Sequence, residues 1–170
     1  MERAADAAPG SGPDGEELVE VAWDVTTRSE DRVADGIVAR AVHAALRHGG
    51  RPGAGLAVTF VDDATLTRMH AEYLDDPTPT DVITFPLGDD GVGPIGELYV
   101  STERARALAA ERSVPYEREL VLYVVHGALH LCGLDDHEPH ERAEMRHAES
   151  AVLQELGYPP DERPHDARVE

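Results

Sequence analysis

The stretch Glu119 to Val125 (E-L-V-L-Y-V-V) is almost wholly apolar and runs unbroken into H-G-A-L-H-L-C-G-L-D-D-H, His126 to His137. A helix that is hydrophobic on all sides must be buried, and that burial restricts what its two histidines can be. His126 and His130 stand four apart, so they share one helix face. Imidazoles taken out of water cost free energy unless their ring nitrogens are hydrogen-bonded or bound to a metal. Gly133 ends the helix, and Asp135, Asp136 and His137 follow on a turn close enough to return a third ligand. Two imidazoles and one further donor, with a fourth position left to water, form the pattern of a catalytic zinc site rather than a closed structural one. Zinc suits such ligands best, although nickel, cobalt or copper fit similar sets.

The chemistry at that metal is narrowed by one residue. A metalloprotease helix of the zincin type carries H-E-x-x-H, with the glutamate as general base, and this chain has Gly127 at that position. Proteolysis by that route is therefore disfavoured. The segment resembles instead the signature of the YbeY family of bacterial rRNA maturation endoribonucleases, H-G-x-L-H-L-x-G-(Tyr/Phe)-x-(His/Asp), matched by His126, Gly127, Leu129, His130, Leu131, Gly133 and Asp136. Upstream, Pro79 to Pro86 (P-T-D-V-I-T-F-P) is similar to the family's P-T-D-V-L-S-F-P strand, and Ile95 to Ser101 to its G-D-I-x-I-S strand. Order and spacing agree from about Leu56 to Leu156.

The resemblance implies a zinc-dependent, single-strand-specific endoribonuclease that trims the 3′ end of small-subunit rRNA and serves ribosome quality control. It implies His126 and His130 as ligands and catalytic residues. The ungapped register makes Asp136 the third ligand in preference to His137, which lies one residue late. Asp135 is then a candidate partner for a ligand histidine or a helper in proton transfer. Thr80, Asp81 and Thr84 are candidates to line the substrate cleft. Many relatives carry an arginine after the tyrosine of the preceding helix; here that position is Leu74, and Arg68 is a weak substitute whose simpler reading is a solvated helix-face arginine. The expected partners are precursor rRNA and the small ribosomal subunit, with a ribosome-associated GTPase; neither membrane nor DNA is expected. Two rivals stay open: a metal-dependent peptide or ester hydrolase, since helix plus turn resembles a shortened zincin, and a non-catalytic ribosome assembly factor with a structural metal.

Charge is the main objection to RNA. The formal net charge is −19, with 15 basic residues and no run among them, whereas phosphate binding draws on Lys and Arg. Arg104, Arg106, Arg112 and Arg118 could form a local basic face, but pairing with Glu103, Glu111, Glu117 and Glu119 is the favoured reading. The single cysteine, Cys132, excludes an internal disulfide and fits a reducing cytoplasm, with core packing as its role. No apolar run approaches the ~20 residues that span a bilayer.

The 170 residues suit one domain, expected over 18–157 between an acidic, disordered tail at 1–17 and a polar tail at 158–170. Strands are expected at 18–25, 56–61, 81–85 and 95–100. Helices are expected at 31–48, at about 63–74 with Asp63 as cap and Leu66, Met69 and Tyr73 inward, and from Ser101 or Thr102 to 112. The metal-bearing helix follows Pro115, and the last helix, 139–156, turns Met145, Ala148, Val152, Leu153 and Leu156 inward. Elements in this order predict an α+β fold, a small mixed sheet of about four strands with helices on its faces. His140 and His147 read as surface histidines.

Overall fold

The computed structural model describes residues 19–88 and 94–159. The tail expected over 1–17, and that expected over 158–170 from residue 160 on, lie outside the described residues. The elements are β1 (Val19–Trp23), α1 (Asp35–His48), β2 (Gly55–Val61), α2 (Asp63–Leu74), β3 (Val82–Pro86), β4 (Pro94–Ser101), α3 (Thr102–Arg112), α4 (Tyr116–Leu131) and α5 (Pro139–Glu155). Among the described residues the sheet has four strands in the order β1-β2-β4-β3. β1, β2 and β4 run parallel, and β3 closes one edge antiparallel to β4. This is the α+β fold with a mixed sheet that the pattern of elements predicts.

Helix α4 is the hub. Its residues 118–125 and 127–129 are buried, and it packs against α1, α3, α5 and the β3–β4 edge of the sheet. Its seat on the sheet depends on Gly127. A Cβ there would stand 2.8 Å from Leu98 Cδ2 and 3.3 Å from Val82 Cγ2, so the helix backbone lies almost directly on β3 and β4. The glycine costs about 1 kcal/mol of helix propensity, and close approach of helix to sheet is what it permits. Where a zincin places its glutamate, this fold has no room for a side chain.

The opposite face of β3 and β4 presents Ile83, Phe85 and Tyr99 to α2, where they form a second, small core with Val61, Leu66 and Met69. Asp62, rather than Asp63, caps α2, its side chain accepting from Thr65 N–H at 2.9 Å. Tyr73, expected inward, is 63% exposed. Leu66 and Met69 already fill the narrow contact with the sheet edge, and Tyr73 overhangs it, meeting the Phe85 ring edge-on at 6.0 Å.

The helix expected from Asp31 begins at Asp35, after a 3₁₀ turn at Ser29–Asp31. Asp31 is held by long-range contacts instead: Arg106 pairs with its carboxylate, and Tyr116 Oη donates to its carbonyl at 2.6 Å. Of the arginines expected to pair with neighbouring acids, Arg112 and Arg118 do so through Glu119, whereas Arg104 and Arg106 pair with acids distant in sequence. Arg104 lies 3.6 Å from Asp63 and 3.9 Å from Asp81. Glu119, fully buried, sits 3.9 Å from both Arg112 and the buried Arg118. Tertiary packing, not helix spacing, chose the partners of Arg104 and Arg106. Cys132 is half-buried against Gly49, and its burial pushes the thiol pKa up.

Gly127→Glu, which would install the zincin pattern, is expected to destabilise the fold by about 3 kcal/mol or more, through overpacking and an unpaired buried carboxylate. Urea unfolding monitored by circular dichroism measures it.

Candidate metal centre

The site is assembled where α4 ends. The helix stops at Leu131, Gly133 turns the chain at a φ of +110° that side-chain-bearing residues rarely adopt, and Leu134 N–H returns to the Leu129 carbonyl at 3.1 Å. The following turn is then stitched to α5. Glu141 accepts from the backbone N–H of His137 (3.1 Å) and of Glu138 (2.9 Å), completing a capping box, and Arg142 Nη1 donates to the His137 carbonyl at 2.7 Å. These bonds hold Asp136 beneath the two histidines.

Nε2 of His126 lies 3.4 Å from one carboxylate oxygen of Asp136, and Nε2 of His130 lies 3.3 Å from the other. One ligand atom from each residue falls within 4.8 Å of the other two. Tetrahedral N and O ligands about 2.1 Å from a shared ion stand about 3.4 Å from one another, so the donor set and its spacing both fit a divalent cation. Behind His126, Nδ1 meets Oε2 of Glu149 at 2.5 Å. Glu149 is only 3% exposed. A carboxylate on the remote nitrogen fixes the tautomer that turns Nε2 toward an ion.

Charge in the cluster is strongly displaced. Burial alone favours neutral His126, but its bonds to Asp136 and Glu149, with their charges, prevail and raise its pKa to about 10. The bonds from His126 and then His130 hold Asp136 far below the usual carboxylate range. In the absence of a cation, a proton on His126 therefore compensates two carboxylates, and a bound metal would take its place.

The cluster forms the floor of a cavity of about 610 Å³ between α4, α5, the edge strand β3 and the end of α2. Thr80, Asp81 and Thr84 line it, as does His137, which is exposed and outside the three-residue cluster. Asp135 is exposed, 3.9 Å from His130 Nδ1. Arg68 is exposed on α2 and is not among the lining residues. His140 and His147 are both exposed on α5. Sequence reasoning passed over Glu149, Arg142, Arg146 and His70, all of which line the cavity. A signal existed for the first: Glu149 lies four residues after Met145 and three before Val152, an acid on an otherwise apolar stripe.

Comparison with known proteins supplies the family. The sequence model of the family described as "Endoribonuclease YbeY" matches residues 23–157. The chain belongs to the YbeY family. Among YbeY relatives, the Endoribonuclease YbeY of Rhodopirellula baltica is 42% identical over 122 residues, 71% of this chain and 63% of that protein, so the chain spans less than two thirds of that relative's length. The Endoribonuclease YbeY of Chlorobium luteolum is 34% identical over 131 residues, 77% of this chain and 93% of that protein. The solution structure of TM1509 from Thermotoga maritima shares the fold, with a TM-score of 0.56 and 20% identity over 89% of this chain and 99% of that one.

Glu149→Gln removes the charge behind His126 and is expected to weaken metal affinity about 10- to 100-fold, read by competition with a chromophoric chelator. In the unaltered protein, the ion must displace the His126 proton. Affinity is thus expected to rise by about tenfold per pH unit across the neutral range and to level off as pH passes about 10; isothermal titration at several pH values checks it.

Proposed function

We propose that the protein is a zinc-dependent endoribonuclease that cuts single-stranded ribosomal RNA precursors, acting at the 3′ end of small-subunit rRNA and in ribosome quality control. The coarser part follows from membership of the YbeY family: the chain is a metal-dependent endoribonuclease, a hydrolase of RNA phosphodiester bonds. The observation that carries the finer reading is the convergence of His126 Nε2, His130 Nε2 and the Asp136 carboxylate on one point at the floor of an open cavity. Two imidazoles, one carboxylate and an open approach are the donor set of catalytic zinc.

His126, His130 and Asp136 would hold the ion. When bound, it supplies Lewis acidity toward a phosphoryl oxygen and toward water. Glu149 keeps His126 oriented through its Nδ1 proton. Asp135, at the solvent side of His130, is placed to orient that ring or to accept a proton. Thr80 and Asp81, on the wall formed by the entry to β3, would meet the sugar and base of the strand rather than its phosphate, since Asp81 repels an anion. The peptide-hydrolase alternative lacks the glutamate base of a zincin, since Gly127 stands at that position against Leu98.

The small ribosomal subunit and a ribosome-associated GTPase are the partners this reading implies, and the cytoplasm its location; no described helix is long and apolar enough to cross a membrane.

The test measures metal by mass spectrometry and cleavage of single-stranded precursor rRNA in the unaltered chain and in His130→Ala, Asp136→Ala and His137→Ala. About one zinc per chain with cleavage is expected for the unaltered protein and for His137→Ala, and loss of both together for the other two. Zinc without cleavage would overturn the enzyme; loss of zinc in His137→Ala but not in Asp136→Ala would overturn the ligand set.

A further inference from the structure

The carboxylates that line the cavity are all engaged. Asp136 lies between two histidines, Glu149 holds His126, and Asp81 lies 3.9 Å from Arg104. The two arginines that line it are not committed to acids. Arg142 gives Nη1 to the His137 carbonyl at 2.7 Å, and Arg146, among the described residues, has no hydrogen bond or ion pair. Both are half-buried, and both stand on α5, four residues apart, on the helix face that carries Glu149 three residues further on. Two like charges at that spacing repel each other, and an arginine that is half-buried and unpartnered has lost water without gaining an anion.

The opposite wall adds no permanent cation. Leu74 is apolar, and His70 meets the Thr78 carbonyl through Nδ1 at 2.7 Å. With a divalent ion balanced by Asp136 and Glu149, the two arginines on α5 outweigh Asp81, which shares Arg104 with Asp63. In a chain of net charge −19, the cavity is then a local positive well, and field in such a cleft is focused by its low-dielectric walls.

We propose that Arg146, supported by Arg142, grips a backbone phosphate of the single-stranded RNA beside the metal centre. The inference rests on the endoribonuclease reading and assigns the charge through which that acidic protein holds its substrate. The roles divide by geometry. Arg142 is a positioning residue, tied to the turn that presents Asp136. Arg146 has its guanidinium donors available for two phosphate oxygens at once, the bidentate contact to which that group is suited.

The experiment uses the zinc-loaded full chain and a short fluorescein-labelled single-stranded oligoribonucleotide, followed by anisotropy over a range of salt concentrations. Arg146→Ala is expected to weaken binding about tenfold, to lower the slope of log K against log salt by about 0.7, and to leave zinc content unchanged. Arg146→Lys restores the salt slope and part of the affinity, having a charge but no planar fork. Arg40→Ala, an exposed α1 cation outside the cavity, binds as the unaltered protein does. Unchanged binding in Arg146→Ala, an equal loss in Arg40→Ala, or loss of zinc along with binding each overturns the assignment. If the unaltered chain binds no RNA, the endoribonuclease reading falls and takes this inference with it; if it binds RNA indifferently to Arg146, only the inference falls.

Discussion

The seating of α4 on the sheet at Gly127 governs everything around it. Because no side chain separates helix from strand there, α4 sinks until its whole middle is buried, and its two histidines emerge only where the helix runs past β3 toward α5. His126 and His130 are therefore neither fully exposed nor sealed. They stand at the boundary between a rigid apolar core and an open cavity, which lets a metal-binding face be both preorganised and reachable. A helix held off the sheet by even a methyl group would carry the same histidines to a different height relative to Asp136.

That burial creates an electrostatic demand as well. Two carboxylates, Asp136 and Glu149, are brought against His126 in a place where water screens them weakly. The cluster is satisfied only by positive charge, and a proton and a divalent ion compete for the role. The same logic recurs at the other end of α4, where buried Glu119 is met by Arg112 and Arg118. In both places the chain's acidity is compensated locally. Net charge is thus a poor guide to what any one surface presents, and the excess of acids does not stand against an RNA-cleaving role for a cavity lined by Arg142 and Arg146.

Much of the fold was legible in the chain. Alternation and helical spacing give the elements to within a few residues, because their cores are made by periodic apolar residues such as Leu56, Val58 and Phe60 in β2 or Val38, Ala41, Val42 and Ala45 in α1, while α4 is marked by its unbroken apolar run. Two of the exceptions share a cause. Asp31 left its helix for Arg106 and Tyr116, and Tyr73 left the core because the sheet ended beneath it. Each was decided by a neighbour far away in sequence, which local pattern cannot register. In the site, the histidine pair and the acidic turn were readable because α4 and its glycine stop place them within a dozen consecutive residues. Arg142 and Arg146 were not, and Glu149 showed only as an acid on an apolar stripe, because α5 owes its rotation to packing against α1 and α4.

The amino-acid sequence by itself determined that a buried helix would carry two histidines on one face and end at a glycine before an acidic turn. Helical geometry and the cost of burying imidazole are local rules, and they need no knowledge of the rest of the chain. Only the tertiary structure decided that Asp136, rather than its neighbours Asp135 and His137, faces both Nε2 atoms, that Glu149 stands behind His126, and that two arginines look into the cavity above them. Those placements come from the capping bonds that join the turn to α5 and from the packing of α5 against α4 and α1. They are set by long-range packing, whose partners are adjacent in space and remote along the chain.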